Sequence, residues 1–331
     1  MIQFSHPILQ ANSWKKNMAE AIQDPLELLN ILQLSHKFRP GQFQDFPLRV
    51  PHSFVARMQK GNPKDPLLLQ VLPLLAETCS PEEYSFDPLL ETHAQQAPGL
   101  LHKYAGRALL TLTGACPIHC RYCFRRHFPY SDNSFNQQTW NQTLNYLRQD
   151  KQITEVILSG GEPLSLSDEK LEVIVSSLSK INHIRRIRFH TRMPVVLPER
   201  ITATFLQLLQ QTRFQFVMVL HINHANEIDA NIRAMCKKLR HCGTTLLNQS
   251  VLLRRINDNP EVLCQLSEAL FDTGILPYYL HILDKVQGAA HFCVSDHKAR
   301  TLITQLRDRL PGYLVPTLVR ESPGMPSKTP L

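Results

Sequence analysis

Three cysteines stand close together about a third of the way along the chain, in the stretch GACPIHCRYCFRRHF at residues 114–128. Cys116, Cys120 and Cys123 are spaced C-x3-C-x2-C, so a looped backbone would bring the three thiols around one small volume. Pairing in disulfides leaves one thiol over, and structural zinc sites use four ligands, commonly from two C-x2-C knuckles. The spacing therefore favours a [4Fe–4S] cluster that is bound by three cysteines and keeps one iron open.

The composition is that of a globular protein with material for a large core: 331 residues, 43% of them hydrophobic and 19% charged. No apolar run reaches the roughly 20 residues that span a bilayer, and the first residues lack the apolar segment of a signal peptide. We therefore expect a cytoplasmic protein with no membrane partner. The remaining cysteines are scattered without a disulfide framework, which fits a reducing compartment. They are Cys79, Cys236, Cys242, Cys264 and Cys293.

The formal net charge is +8, from 36 lysines and arginines against 28 acids, with a pI near 9.1. A basic surplus can favour nucleic acid, anionic cofactors or an acidic protein partner. The charges are dispersed, and no recognised nucleic-acid motif accompanies the densest cluster, HIRRIRFH at residues 183–190. We expect this charge to serve solubility and expect no direct binding of nucleic acid.

From residue 107 onward, apolar segments with strand propensity alternate with amphipathic helical segments. The predicted strands are RALLTLTG, TEVILSGGEP, RRIRFHTR, FQFVMVLHI, TTLLNQSVLL and PYYLHIL, and the predicted helices cover 138–150, 167–180, 199–211, 227–241, 260–272 and 296–310. Six such units predict a parallel sheet covered by helices, which can curve into a partial barrel. The predicted fold class is thus α/β, a partial (β/α)6 barrel over residues 104–310. A helical N-terminal extension over 1–103 would wrap the barrel, and 311–331 would form a short C-terminal segment.

Polar residues follow the predicted strands at their C-terminal ends, the edge where α/β barrels carry their chemistry. They include Cys116, the run from Ser159 to Glu162, His190 to Arg192, residues 221–226, Asn248 with Gln249, and Asp284. Any one of them alone is more typical of a turn. Together they predict an active site on this rim.

The cysteine loop, followed by SGGEP at residues 159–163, resembles the radical S-adenosylmethionine enzymes. In that superfamily the open iron is chelated by the amino and carboxylate groups of S-adenosylmethionine. The resemblance implies that Ser159, Gly160, Gly161 and Glu162 contact this cofactor. We attribute the two glycines to the need for the ligand to approach the strand end.

The resemblance narrows to the lysine 2,3-aminomutases and covers residues 102–331, through LSGGEPL, HINHANEID, NQSVLLRRIND, YYLHILDKVQGAAHF and GYLVPTLVRESPGMPSKTPL. It is strongest for the branch that makes (R)-β-lysine for elongation factor P, which DPLELLNILQL also resembles. This implies an isomerase that moves the amino group of L-lysine from C2 to C3. It further implies a functional link to elongation factor P and its lysyl ligase, and a reductant such as flavodoxin or ferredoxin.

The resemblance also implies pyridoxal 5′-phosphate, held by Lys328 as a Schiff base. Arg107 would be a cationic partner of that cofactor. Lys103 stands where the family carries an arginine, so it offers a point charge rather than a planar fork. His221 and Gln249 would contact the adenosyl group.

For the substrate, the resemblance assigns the carboxylate to Arg125 and the ε-ammonium to Asp284 and Glu321. The chain departs from the free-lysine aminomutases in having Glu321 where they carry an aspartate, and PGMPSK in place of a glycine-rich turn. It ends at Leu331, so we do not assume their C-terminal extension, intersubunit zinc site or tetramer.

Two other interpretations stay open at this stage. One is an aminomutase for another amino acid, or one that makes a free β-amino acid for another pathway. The other is an iron–sulfur protein that transfers electrons or binds RNA. Lys328, Asp284 and Glu321 argue against the latter, because electron transfer requires none of them.

Overall fold

The structure is a computed structural model that describes residues 13–35, 40–41, 45–131 and 136–331. The first twelve residues, where the sequence predicts no signal peptide, lie outside this part, as do three short pieces of the chain. Within the described ranges, no helix combines the length and hydropathy needed to cross a bilayer.

One sheet of ten strands organises the described chain, and each strand pairs with the next one along the sequence. The strands are β1 Gln95–Ala97, β2 Leu100–Tyr104, β3 Arg107–Thr111, β4 Glu155–Ser159, β5 Arg186–Thr191, β6 Gln215–Leu220, β7 Thr245–Val251, β8 Leu276–His281, β9 Thr317–Arg320 and β10 Thr329–Pro330. Strands β3 to β9 run parallel, whereas β1, β2 and β10 are antiparallel to their neighbours. The sheet is open between its edges β1 and β10, which confirms the predicted partial barrel.

Four strands were not predicted from the sequence. β1 and β2 belong to the extension that we expected to be helical, and β9 and β10 belong to the C-terminal segment. In the last pairing, Thr329 lies opposite Arg320. Because Lys328 directly precedes that pair, the pairing holds this lysine beside the sheet.

The helices between the strands begin where the sequence supplies capping side chains. Asn136, Ser167, Thr202, Asp229, Asn259 and Ser295 each accept a hydrogen bond from a backbone N–H of the following turn. The helices are α1 Ser13–Ala19, α2 Pro25–Ile31, α3 His52–Val55, α4 Pro66–Leu69, α5 Gln137–Gln149, α6 Asp168–Ser179, α7 Met193–Val196, α8 Ala203–Gln210, α9 Ala230–His241, α10 Pro260–Asp272 and α11 Asp296–Arg307. α8 and α9 start later than predicted because 3₁₀ turns, Pro198–Arg200 and Ala225–Glu227, precede them.

Alternation along β5 shows how the sheet separates core from site. Ile187 and Phe189 are fully buried, and the Phe189 ring lies 5.8 Å from that of Phe205 on α8. Burying such a side chain stabilises the fold by about 1.5–3 kcal/mol. Arg188 and His190 occupy the intervening positions and line a cavity. The period of two therefore packs one face of β5 under helices and presents the other to the site.

Candidate active site

A cavity of about 630 Å³ is lined by the cysteine loop, by residues on or directly after strands β2 to β8, and by the C-terminal segment. All the side chains that the sequence analysis assigned to cofactors or substrate line it. They are Arg107, Cys116, Cys120, Cys123, Arg125, Ser159, Gly160, Gly161, Glu162, His221, Gln249, Asp284, Glu321 and Lys328. The structure thus brings these residues together, while their individual roles stay predictions.

The three loop cysteines are free thiols at one end of this cavity. The N–H of Cys123 donates to the carbonyl oxygen of Cys120 over 2.9 Å, so a tight turn joins them. Burial, and then the neighbouring thiols, raise the pKa of Cys116 and raise that of Cys123 to about 11. A bound metal would stabilise the thiolates that burial disfavours. Among the described residues, no three or more His, Cys, Asp or Glu side chains are arranged to hold a single metal ion. Three thiols that line one cavity fit instead the donor set of a [4Fe–4S] cluster with one free iron position.

Two glutamates of the N-terminal region hold the arginines of the cysteine loop. Glu77 accepts from Nε and Nη2 of Arg121 over 2.8 and 2.6 Å, and from Nη2 of Arg126 over 2.9 Å. Glu91 accepts from Nε and Nη2 of Arg125 over 2.6 and 2.8 Å. None of these five side chains is more than 7% exposed, so each charge depends on its partner. The N-terminal region therefore fixes the loop that carries the cysteines.

The two glycines after β4 allow close contact with the cysteine loop. Gly160 has a φ of +116°, and a Cβ at Gly161 would lie 2.7 Å from the carbonyl carbon and oxygen of Gly114. The backbone of residues 111–113, just before the loop, occupies the space that a side chain at Gly160 would need, and the backbone of the loop occupies that space at Gly161. We attributed these glycines to the approach of a ligand; the structure gives a different reason, the packing of two backbone segments.

The carboxylate of Glu162 accepts four hydrogen bonds from the protein. The donors are the N–H groups of Leu164, Arg192 and Met193, over 3.0, 2.9 and 3.0 Å, and the hydroxyl of Thr191, over 2.5 Å. Burial raises the pKa of Glu162, and these hydrogen bonds oppose the rise. Glu162 therefore ties the ends of β4 and β5 together, and its contact with a cofactor stays a prediction.

Arg192, directly after β5, connects a cysteine of the loop to a buried polar network. Its Nη1 donates to Sγ of Cys120 over 2.8 Å and to the hydroxyl of Tyr122. Its Nη2 donates to Oε1 of Gln70 over 2.7 Å and to Oε2 of Glu227 over 3.1 Å. This arrangement places a fixed positive charge next to one sulfur.

Alternating charges run from the cysteine loop to the C-terminal segment. Nζ of Lys103 lies 2.9 Å from Oε1 of Glu91, the partner of Arg125, and 2.8 Å from Oε1 of Glu321. Oε2 of Glu321 lies 3.4 Å from Nζ of Lys328. Five side chains therefore form one continuous row of alternating charges, in the spatial order Arg125, Glu91, Lys103, Glu321 and Lys328.

Burial and this row of charges determine the pKa values of Glu321 and Asp284. Burial would raise the pKa of Glu321, but Lys328 and Lys103 outweigh it and hold the value at about 2. Burial, and then Glu321, raise the pKa of Asp284 to about 7. Burial lowers the pKa of Lys328, although Glu321 and Asp284 oppose it. The pocket thus offers an amine that loses its proton more readily and an acid that a further cation would ionise.

Four histidines line the same cavity: His119 lies in the cysteine loop, and the other three lie at the ends of strands. Nε2 of His221 lies 3.0 Å from Nε2 of Gln249, and burial lowers the pKa of His221 to about 3, so the ring is neutral. Nε2 of His190 is buried and makes no hydrogen bond within the described residues. Nε2 of His281 lies 3.1 Å from Nζ of Lys328.

Arg107 begins β3, the end of the strand opposite to the cysteine loop. Its guanidinium lies 4.5 Å from the centre of the Tyr104 ring. The cavity therefore extends from the thiols to a positively charged end.

Comparison with known proteins identifies the family. Residues 110–260 match the Radical SAM superfamily. The chain is 50% identical to the L-lysine 2,3-aminomutase of Escherichia coli strain K12 over 322 residues, 96% of this chain and 94% of that protein. The chain belongs to the lysine 2,3-aminomutase family. The enzymes of the same name from Haemophilus influenzae and Clostridium subterminale are 47% and 34% identical; the matches cover 97% of this chain in both cases, and 96% and 78% of those proteins.

Membership in this superfamily implies a [4Fe–4S] cluster and S-adenosylmethionine. The lysine 2,3-aminomutase family is a family of isomerases, and the match extends over nearly the whole chain rather than over the cysteine loop alone. An electron-transfer or RNA-binding protein is therefore not the best interpretation. The cysteine loop would hold the cluster, and the end of β4 lies against that loop.

Sequence reasoning missed several residues of this aminomutase site. Glu77 and Glu91 lie in a region of turn-forming residues and carry no motif. His281 had a usable signal, because it lies two residues after Tyr279 and three before Asp284, so strand alternation and the predicted acid both point to it. Arg192 was noted only as a strand-end residue.

Proposed function

We propose that this chain converts L-lysine to (R)-β-lysine by migration of the amino group from C2 to C3. Pyridoxal 5′-phosphate would be held by Lys328, and the product would serve β-lysylation of elongation factor P. One observation carries the proposal. The amine of Lys328 lies in the cavity that the three cysteines line, 3.4 Å from a predicted substrate acid, Glu321.

Lys328 and Arg107 fit the binding of pyridoxal phosphate. Burial lowers the pKa of Lys328, so its nitrogen loses a proton more readily and becomes available for a Schiff base. Arg107 offers a planar cation for a phosphate on the same cavity wall. Bound here, pyridoxal phosphate would carry the migrating nitrogen, and S-adenosylmethionine on the cluster would supply the 5′-deoxyadenosyl radical that takes hydrogen from C3.

Arg125 supports the placement of the substrate carboxylate. Glu91 occupies its Nε and Nη2, while its Nη1 donates to the hydroxyl of Ser159 over 3.0 Å. A carboxylate could replace that hydroxyl at Nη1 without breaking the pair with Glu91. Arg125 follows Cys123 by two positions in the sequence. It would then hold the carboxylate end of the substrate beside the cysteine loop.

Asp284 and Glu321 support selection of a lysine side chain. A substrate ammonium would lower the pKa of Asp284 and ionise it. A shorter or anionic side chain would leave the acid buried without a cation, which disfavours alanine and glutamate as substrates.

The test is anaerobic turnover. The purified chain, with its cluster reconstituted, is incubated with S-adenosylmethionine, pyridoxal phosphate, dithionite and L-lysine, and chiral mass spectrometry measures β-lysine. We expect (R)-β-lysine from L-lysine and none from L-alanine or L-glutamate. An intact cluster that gives no product would refute the aminomutase activity. Lys328→Ala should keep the cluster absorbance and lose the Schiff base.

The link to translation has a separate test. Deleting the gene should remove the β-lysyl mass from elongation factor P, and the gene supplied in trans should restore it. An unchanged mass would refute this role and favour a free β-amino acid for another pathway. We expect reduced flavodoxin or ferredoxin to support turnover in place of dithionite.

A further inference from the structure

His281 ends β8 with its ring buried and 8% exposed. Its Nε2 lies 3.1 Å from Nζ of Lys328, closer than Oε2 of Glu321, which lies 3.4 Å away. The ring of Tyr279 packs edge-on at 5.7 Å from the His281 ring and holds its orientation. A ring nitrogen is thus held within hydrogen-bond distance of the amine that the proposed function uses.

We propose that His281 is a catalytic residue that exchanges a proton with Lys328 each time the Lys328 nitrogen forms or leaves a Schiff base. The inference rests on the proposed function, because it concerns the lysine assigned there to pyridoxal phosphate. It adds a residue and a role that the sequence analysis did not assign.

Burial favours the neutral ring that this role requires. It lowers the pKa of His281 well below its usual value, and the positive charge of Lys328 lowers it further. The second cause disappears when Lys328 gives up its proton, so the transfer itself makes the imidazole a better base.

The other groups that face Lys328 are less well placed to take its proton. Glu321 is paired with Lys103 as well, and its pKa of about 2 shows how strongly the two cations hold it ionised. Asp284 acts on Lys328 through its charge rather than through a hydrogen bond. His221, which also affects His281, is itself a neutral ring, and Tyr279 presents its ring face at 5.4 Å from Nζ.

The step balances with these groups alone. The Lys328 ammonium gives one proton to Nε2 of His281, and the freed lone pair forms the bond to the aldehyde carbon. The aldehyde oxygen of pyridoxal phosphate keeps the electron pairs of the C–O bonds that break and leaves as water. One of the two protons of this water comes from the Lys328 nitrogen, and Nε2 of His281 returns the other. The nitrogen that remains is a protonated Schiff base, and the reverse sequence frees the amine for the next turnover.

The test follows Schiff-base formation in the full chain with its cluster reconstituted, without S-adenosylmethionine or reductant. Pyridoxal phosphate is added, samples are quenched with borohydride at set times, and peptide mass mapping locates and quantifies the reduced tag. For His281→Gln and His281→Leu we expect the tag on Lys328 at a rate lowered on the order of 100-fold. Their rate should reach half its maximum at a higher pH, because the amine must then lose its proton to water.

Two further variants separate chemistry from structure. Free imidazole should restore part of the rate to His281→Gly. His183→Gln removes a histidine outside the cavity, whose Nε2 lies 2.8 Å from the carbonyl oxygen of Leu147, and should leave the rate unchanged. A native rate and pH profile in His281→Gln would overturn proton exchange, since glutamine accepts a hydrogen bond without exchanging a proton. A tag on another lysine would instead refute the proposed function.

Discussion

The ammonium of Lys103 lies 2.8 Å from the carboxylate of Glu321, so a lysine of the chain already holds an acid predicted to bind the substrate ammonium. The same ammonium lies 2.9 Å from Glu91, which in turn holds Arg125. The two predicted ends of the substrate pocket are therefore joined through one partly buried cation. A lysine suits this position because its single charge can lie between two carboxylates from different directions.

We expect Lys103→Met to destabilise the fold and to disturb both ends of the pocket. The change leaves the buried Glu91 and the partly buried Glu321 with one cation fewer, and breaking a buried pair costs about 3 kcal/mol. Urea unfolding of the full chain measures the loss. Lys103→Arg, which keeps the charge, should recover at least half of it; equal stability of the native chain and Lys103→Met would contradict the bridge.

Asp284 should make the stability of the fold depend on pH. Its pKa rises from 3.8 to about 7 on folding, first through burial and then through Glu321. A raised carboxyl pKa stabilises the fold while the group is protonated, so the contribution is complete below pH 4 and is lost as the pH rises through 7. Relative to Asp284→Asn, the native chain should lose about 2–4 kcal/mol of unfolding free energy between pH 4 and pH 8.

Unfolding curves at several pH values test this dependence. Asp272→Asn, at the exposed end of α10, is the matched control and should follow the native curve. Parallel curves for the native chain and Asp284→Asn would show that Asp284 does not titrate in this range.

Glu77 should contribute more to stability than a comparable glutamate on the surface. Glu77→Ala removes the carboxylate that holds the fully buried Arg121 and the guanidinium of Arg126, so we expect a loss of about 3–5 kcal/mol and a lower iron content after reconstitution. Glu83→Ala breaks a pair with Lys285 at 3.9 Å, in which both side chains are about half exposed. That control should cost less than about 1 kcal/mol. Similar losses in the two variants would contradict a buried support for the loop.

The sequence predicted those parts of the fold in which a local pattern repeats. The six central strands and their helices followed from apolar segments that alternate with amphipathic ones, and the cysteine loop followed from its spacing. β1 and β9 have three and four residues, too few for alternation to stand out, and they form because neighbouring strands offer edges.

The contacts that complete the site could not be predicted from a local pattern, because they join residues that are far apart in the sequence. Lys103 and Glu321 are 218 residues apart, and Glu77 and Arg121 are 44 apart. A charge in a loop is usually solvated, and only the fold shows which charges it buries together. The pKa of about 7 for Asp284 likewise depends on burial, which no motif encodes.

Gly161 offers the sharpest test of how the sheet positions the cluster. A Cβ added there would lie 2.7 Å from the backbone of Gly114 and 2.8 Å from the carbonyl oxygen of Ala115, and backbone cannot move aside as a flexible side chain can. Gly161→Ala should therefore push the cysteine loop away from the end of β4. We expect about 1–3 kcal/mol of lost stability and a marked fall in iron and sulfide bound after reconstitution, with the circular dichroism spectrum retained.

Gly312→Ala is the matched control, because a Cβ there meets no atom within 4 Å. It should bind iron as the native chain does. If Gly161→Ala also bound a full cluster, the close approach of β4 would not be what sets the position of the cysteine loop. A loss confined to Gly161→Ala would show that the glycine turn acts through the backbone of the loop, before any cofactor is present.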